Sequence, residues 1–335
     1  MRKKNITLID VARDAGVSRS TASLVMQNST LVKTETRERV LASVQKLGYV
    51  YNRSAARLRT QRTHTIGLIM PDIMNPFFGE VVIGAEDYLE TANYVALVSN
   101  TSRTFAKQTK ALSSMREHQV DGLLLVPNPD TPSEIITQLQ SEMPLVLFVH
   151  HLNKQDVDFV SIDDINGAAT AVKQLIANGH ERIAYIGGAS HHTRISGYRD
   201  ALHSHGLSYE EDWVIPGPAT GEFGHSTILN LLRQHNPPTA VLCFQTAIAY
   251  GVMLGLQSSG RQPGQDFAVI GFDELPEAAM WHPGITTVSI EPYQIGQTAA
   301  QLLLERIADP DLPPRQVTVP ARLVIRESCG SPVKN

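Results

Sequence analysis

The sequence predicts an α/β fold class, with parallel sheets covered by helices and preceded by a small all-helical module. From Thr65 onward, short apolar runs rich in β-formers alternate with helical segments, a pattern that packs as doubly wound sheets. Helical periodicity without strands is confined to roughly the first fifty residues. Charge divides at the same place: up to Arg62 there are 13 Lys and Arg against 4 Asp and Glu, leaving 16 of the 29 basic and 29 of the 33 acidic residues for the rest. At 335 residues and 42% hydrophobic composition, the chain can bury sizeable cores in two or three domains. A basic module on an acidic body suits a polyanion bound at one end only.

The elements of the module follow in order. Leu8, Val11, Ala12 and Ala15 share one face of a short helix that Thr7 caps. Gly16 ends it, Val17 plugs the turn, and Ser18 caps a second helix with Ala22, Val25 and Met26 inward. Arg19, Ser20 and Ser23 then face outward. Two short helices joined by a glycine turn form a helix-turn-helix, whose second helix enters the DNA major groove. A third helix, capped by Thr34, turns Val40, Val44 and Leu47 inward and leaves Arg37 and Arg39 free for phosphates.

In the body, strands are expected at Ile66 to Met70, Tyr94 to Val98, Gly122 to Val126, Leu145 to Val149, Phe159 to Ile162, Ile183 to Ile186, Ala240 to Phe244, Phe267 to Phe272 and Thr286 to Ile290. Ligands of such sheets sit beyond the carboxyl ends of the strands. Polar and aromatic groups there are Asp72, Asn75 and Phe77 after the first strand, His150, Arg194 after Gly187-Gly188, Gln245, and Asp273, the foremost candidate. Arginine with aspartate suits a polyol, because donors and acceptors then hold neighbouring hydroxyls. Asp273 as a plain helix cap is the structural alternative. Trp213 and Phe223 suit either a sugar face or the core.

The run Thr7-Leu8-Ile9-Asp10-Val11-Ala12-Arg13-Asp14-Ala15-Gly16-Val17-Ser18-Arg19-Ser20-Thr21-Ala22-Ser23, with Leu47-Gly48-Tyr49-Val50-Tyr51-Asn52-Arg53, resembles the head of a lactose-repressor-family regulator. The resemblance continues through Asn75-Pro76-Phe77-Phe78, Gly179-His180-Glu181-Arg182-Ile183-Ala184, Val269-Ile270-Gly271-Phe272-Asp273 and Ile285-Thr286-Thr287-Val288. It covers essentially the whole chain and is nearest to regulators of maltose-type operons.

The resemblance implies a head over 1–51, a short hinge helix over 52–63, and a two-lobed, periplasmic-binding-protein-like (type I) sensor. The lobes would comprise 64–161 with 291–319 and 162–290 with 320–330, crossing near Asp163, Ile290 and Pro320. Arg19, Ser20 and Leu24 take the base-reading positions, with Thr7, Ser18, Ser23, Asn28, Arg37, Tyr49 and Asn52 around them. Leu24 stands where the family commonly has arginine, and leucine offers only apolar contact, best with a thymine methyl. Leu58 is the hinge leucine that wedges the minor groove, flanked by Ala55, Arg57 and Arg59. Gln245-Thr246 and Val149-His150 depart from the family's common pocket residues.

The implied function is a cytoplasmic, homodimeric repressor of a carbohydrate operon. Its partners are a pseudo-palindromic operator and an allosteric effector, a sugar or sugar phosphate, with no cofactor, metal or membrane. Competing classes are an α/β enzyme and a solute-binding protein with an appended basic domain. GxGxxG after the first strand, GxSxG, GxxxxGK[ST] and HExxH are all missing. The N-terminus lacks a signal-peptide pattern, and no apolar run is long enough to cross a bilayer. Cys243 and Cys329 show no metal spacing and are expected as free thiols. The neighbours in His150-His151 and His191-His192 point apart, which disfavours a metal. Few residues follow Ser328, and they hold no leucine heptad, so a dimer is expected.

Overall fold

The computed structural model describes residues 6–26, 29, 31–49, 62–150, 156–188 and 192–330. It divides into a head unit, Met1–Thr63, and a body unit, His64–Asn335. Asn28, Asn52, Ala55, Arg57 and Leu58, and with them the expected hinge helix, lie outside the described residues.

The head contains α1 (Leu8–Asp14), α2 (Arg19–Met26) and α3 (Thr34–Leu47). Thr7 closes a capping box: its N–H donates to Asp10 Oδ2 at 2.9 Å, and its Oγ1 accepts from the Asp10 N–H at 3.4 Å. Gly16 turns the chain at φ +65°, a conformation that favours glycine. Ser18 Oγ accepts from the Thr21 N–H at 3.1 Å and so starts α2. Val11, Ala12, Ala15, Ala22, Val25 and Val40 form the core, with Leu8, Val17, Val44 and Leu47 packed around it.

Two local expectations are corrected. Met26 stays half-buried outside that core. Thr34 is already the first helical residue, and the N-cap is Lys33, which makes no side-chain bond. A hydroxyl caps only from the residue before the first turn. The α1–α3 join is polar, since Asp14 accepts from Ser43 and from Lys46 Nζ, the latter at 2.7 Å.

The body is built on two six-stranded sheets. The first runs β2 (Val95–Asn100), β1 (Thr65–Met70), β3 (Gly122–Leu125), β4 (Leu145–Phe148), β5 (Asp158–Ile162) and β11 (Gln316–Val319), all parallel. The second runs β7 (Val214–Ile215), β6 (Ile183–Ile186), β8 (Ala240–Cys243), β9 (Ala268–Phe272), β10 (Thr286–Ser289) and β12 (Arg322–Val324). Its pairs are parallel except β10 with β12. The chain therefore passes between sheets after β5, after β10 and after β11.

Buried strands such as Leu145-Val146-Leu147-Phe148 are apolar on both faces because helices cover both. The covering helices are α4 (Pro76–Thr91), α5 (Phe105–His118), α6 (Ser133–Glu142), α7 (Asp164–Ala177), α8 (His192–Ser204), α9 (Gly221–Leu231), α10 (Thr246–Ser258), the short α11 (Pro276–Met280) and α12 (Pro292–Ala308). Gly84 of α4 and Gly296 of α12 let these two helices touch. A Cβ on either would strike a backbone carbonyl of the other. Asp158, its side chain fully buried, takes Arg306 at 3.0 Å and Arg315 at 3.2 Å, tying β5 to α12 and β11. Among the described residues, no helix is long and apolar enough to cross a membrane.

Candidate functional site

In the head, the first turn of α2 presents Arg19 and Ser20 to solvent. Ser18 is committed to the cap and to Ser20 Oγ, at 2.7 Å, which fixes the start of the helix that carries these side chains. Ser23 and Leu24 are half-buried, and Leu24 lies outside the head's core cluster, on the surface that continues from Arg19 and Ser20. Thr7 is an exposed cap, and Tyr49 packs against the core. Arg37 is corrected: it donates to the Ser29 carbonyl instead of standing free. The carbonyl lies in the segment before α3, within reach of a long side chain one turn into that helix. Arg39 remains exposed.

In the body, Arg194 organises the strand ends. The helix α8 carries it inward until only 6% of its surface is exposed. Its Nε–H donates to Asp164 Oδ1 at 2.8 Å and its Nη1 donates to the Phe244 carbonyl at 2.6 Å. The guanidinium carbon lies 3.8 Å from the Phe272 ring centroid and 4.8 Å from that of Phe244, a cation–π setting. Burial opposes the charge, but Asp164 and Asp273 outweigh it and raise the pKa. Arg194 is therefore a permanent cation.

Asp273 stands at the end of β9 with φ +71° and 8% exposure. It caps no helix, since α11 begins after Leu275. Its Oδ1 is 3.7 Å from Arg194 Nη2, beyond hydrogen-bond reach, and is buried without a hydrogen-bond partner. Burial raises its pKa, Arg194 lowers it, Asp164 raises it and a Gln245 hydrogen bond lowers it; the outcome is about 6. Thr246 bonds the Asp273 backbone carbonyl and holds the turn.

The first sheet contributes His150, whose Nδ1 lies 3.4 Å from the Pro127 carbonyl. Burial depresses its pKa, and Arg103, Asp164 and Arg194 are all close enough to act on it. The ends of the two sheets thus meet at this point. Asp72 lies at the same mouth, 3.6 Å from Arg103.

Two expected contacts have other duties. Asn75 Oδ1 caps α4 by accepting from the Phe77 N–H at 3.0 Å. Phe77 is 6% exposed and packs edge-on against Phe78 in the core. Trp213 donates to Gln234 Oε1 at 3.2 Å, and Phe223 fills the space beside Gly217.

Sequence reasoning missed Asp164, Phe244 and Phe272. Asp163 and Asp164 form a doublet at a strand end: the first caps α7, and the second meets Arg194. The Phe244 ring lies against Gly188, where a Cβ would come within 2.6 Å of it. In sequence it reads only as the end of an apolar run. Among the described residues no cluster of His, Cys, Asp and Glu could hold a metal.

Comparison with known proteins identifies both units. Residues 7–52 match the model of bacterial regulatory proteins of the lacI family, and residues 63–327 match that of periplasmic binding proteins and the sugar binding domain of the LacI family. The HTH-type transcriptional repressor PurR of Vibrio campbellii is 33% identical over 96% of this chain and 98% of its own length. The solved complex of the transcriptional regulator CelR with cellobiose is 29% identical, covers 96% of this chain and 99% of its own, and has a TM-score of 0.73. The lac repressor dimer bound to operator and the anti-inducer ONPF shares the fold, with a TM-score of 0.85 at 23% identity over 98% of this chain and 100% of its own. With a helix-turn-helix head and a two-sheet sensor body that both match, this chain belongs to the LacI family of bacterial regulatory proteins.

Proposed function

We propose that this regulator is a cytoplasmic homodimer that represses a carbohydrate-utilisation operon and is switched by a sugar or sugar phosphate bound at the strand ends of the body. In this reading 1–51 is the operator-reading head and 52–63 the hinge. The lobes are 64–161 with 291–319 and 162–290 with 320–330. One small head makes too few base contacts for specificity, so paired heads read a pseudo-palindrome. Arg19, Ser20 and Leu24 read bases, and Leu58 wedges the minor groove.

The observation that carries the sensing half is the gap between Arg194 Nη2 and Asp273 Oδ1. A buried donor and a buried acceptor stand 3.7 Å apart, and the acceptor has no hydrogen-bond partner. A buried polar atom left so is costly. A ligand hydroxyl bridges the two, accepting from the guanidinium and donating to the carboxylate oxygen that lacks a partner. The cellobiose held by the CelR relative is a ligand of this chemistry.

Pairing is supported by an apolar face on the body. Leu254, one helical turn after Tyr250, is 50% exposed and Met280, beside Trp281 in the chain, is 79% exposed, and Trp281 stacks on Tyr250 at 5.4 Å and 11°. Apolar surface of this kind suits a second copy of the chain.

The test is operator binding by fluorescence anisotropy, with and without sugars and sugar phosphates, for the parent and Arg194→Lys. The reading expects the parent's operator affinity to respond to one of these ligands, and the variant to bind operator without responding. Unchanged response in the variant would remove Arg194 from the site.

A further inference from the structure

The buried charges around Arg194 do not balance. Asp164, at the start of α7, and Asp273, at the end of β9, share one guanidinium. Asp164 is properly paired at 2.8 Å, whereas Asp273 is held at 3.7 Å with Oδ1 unsatisfied. Among the described residues, the other cation near this cluster is Arg103, which acts on His150 but is paired with Asp72 at 3.6 Å. From β6 comes the buried Tyr185 phenol, with Cys243 of β8 beside it. Gln245, after β8, offers an amide. From the first sheet comes His150, whose pKa is lowered, chiefly by burial and further by Arg103 and Arg194, against the Pro127 carbonyl and Asp164. Glu274, next along the chain, is matched by Arg326 and Thr287.

Two carboxylates against one guanidinium in a dry site leave one acid disfavoured as an anion. Asp273 is that acid, because Asp164 holds the closer bond. Below about pH 6 a proton on Asp273 restores neutrality while no ligand is bound. We propose that effector binding in this cleft is coupled to release of a proton from Asp273, so that the regulator reads an uncharged polyol and the ambient pH together. The inference rests on the reading of the cleft as an effector site. The ligand's hydroxyl donates to Asp273 Oδ1 and accepts from Arg194 Nη2. The carboxylic proton leaves to solvent, and no covalent bond of the ligand changes. A phosphorylated ligand would bring further negative charge beside two carboxylates and is disfavoured. Apparent affinity for a polyol therefore falls about tenfold for each pH unit below about 6.

Two measurements test this on the full chain. The first is urea unfolding of the ligand-free parent and Asp273→Asn between about pH 5 and about pH 8. Because folding raises this carboxyl's pKa, its contribution to the parent's stability is complete below the unfolded value and is lost as pH rises through about 6. The variant's midpoint, relative to the parent's, should rise with pH through that window. A gap that does not change with pH overturns the proposal.

The second is calorimetric titration of the parent near pH 6 with maltose, cellobiose and ribose, in phosphate and in imidazole. Release of a proton makes the binding heat differ between the two buffers, and equal heats overturn the coupling. A phosphate ester of ribose that binds more tightly than ribose overturns it as well. A pH-dependent stability gap together with no heat from any of these sugars defeats the polyol reading of the cleft, and the coupling with it, while leaving the buried acid in place.

Discussion

Arg194 concentrates the body's buried electrostatics in one side chain, and its replacement should show it. Arg194→Met removes the cation that faces Asp164 and Asp273 and the plane against which Phe272 packs. Breaking such a pair leaves an uncompensated charge and costs about 3 kcal/mol. Urea unfolding at neutral pH should register a loss of that order. A smaller loss in acid is expected, where Asp273 is neutral. In the head, the proposed base-reading role of Leu24 bears most directly on the operator. Leu24→Arg gives a side chain that pairs with guanine in bidentate fashion, worth about 1–3 kcal/mol of discrimination. Selection from random duplexes should then show a new guanine preference at one position of each half-site.

Helix ends and helix contacts carry predictions of their own. Thr7→Ala opens the capping box of α1 and should cost the head about 1 kcal/mol, read as a lower melting temperature by circular dichroism. Gly84→Ala forces α4 and α12 apart at the Tyr293 carbonyl. It should destabilise the body by about 1–3 kcal/mol, with little effect on the head. At this scale the sequence was most readable. Thr7, Gly16 and Ser18 act where periodicity and capping chemistry put them, and the expected body strands match to within a residue or two. The edge strands Val214–Ile215, Gln316–Val319 and Arg322–Val324 were not legible. Val214–Ile215 is only two residues long, and Gln316–Val319 and Arg322–Val324 are short, broken by polar residues and mostly only partly buried, so no apolar run marks them. In the cleft, Arg194, Gln245 and Asp273 were legible as strand-end polar groups, and the structure brings them together with His150. Asp164 was hidden because a strand-end aspartate ordinarily caps a helix, as its neighbour Asp163 does. Asn75 misled for the converse reason: its polar side chain serves the cap, not the cleft.

For the molecule as a whole, the division between a basic head and an acidic body bears on how the regulator meets DNA. Operator affinity should fall steeply with salt, because phosphate contacts release counterions. If the apolar face around Trp281 pairs two copies, Leu254→Glu should shift sedimentation from dimer toward monomer. Operator affinity should drop with it, since a lone head holds only a half-site. Effector and operator binding are linked, so a ligand that weakens the operator complex must itself bind that complex more weakly.

The most direct test of the central claim, operator reading by paired heads under control of the body, is selection of binding sites from random duplexes by the purified chain. It is run with and without a panel of sugars and repeated for Leu58→Ala. The account predicts a pseudo-palindromic consensus whose enrichment one of the sugars changes, and a loss of affinity in the variant. Absence of any enriched sequence under every condition, with Leu58→Ala indistinguishable from the parent, would contradict it.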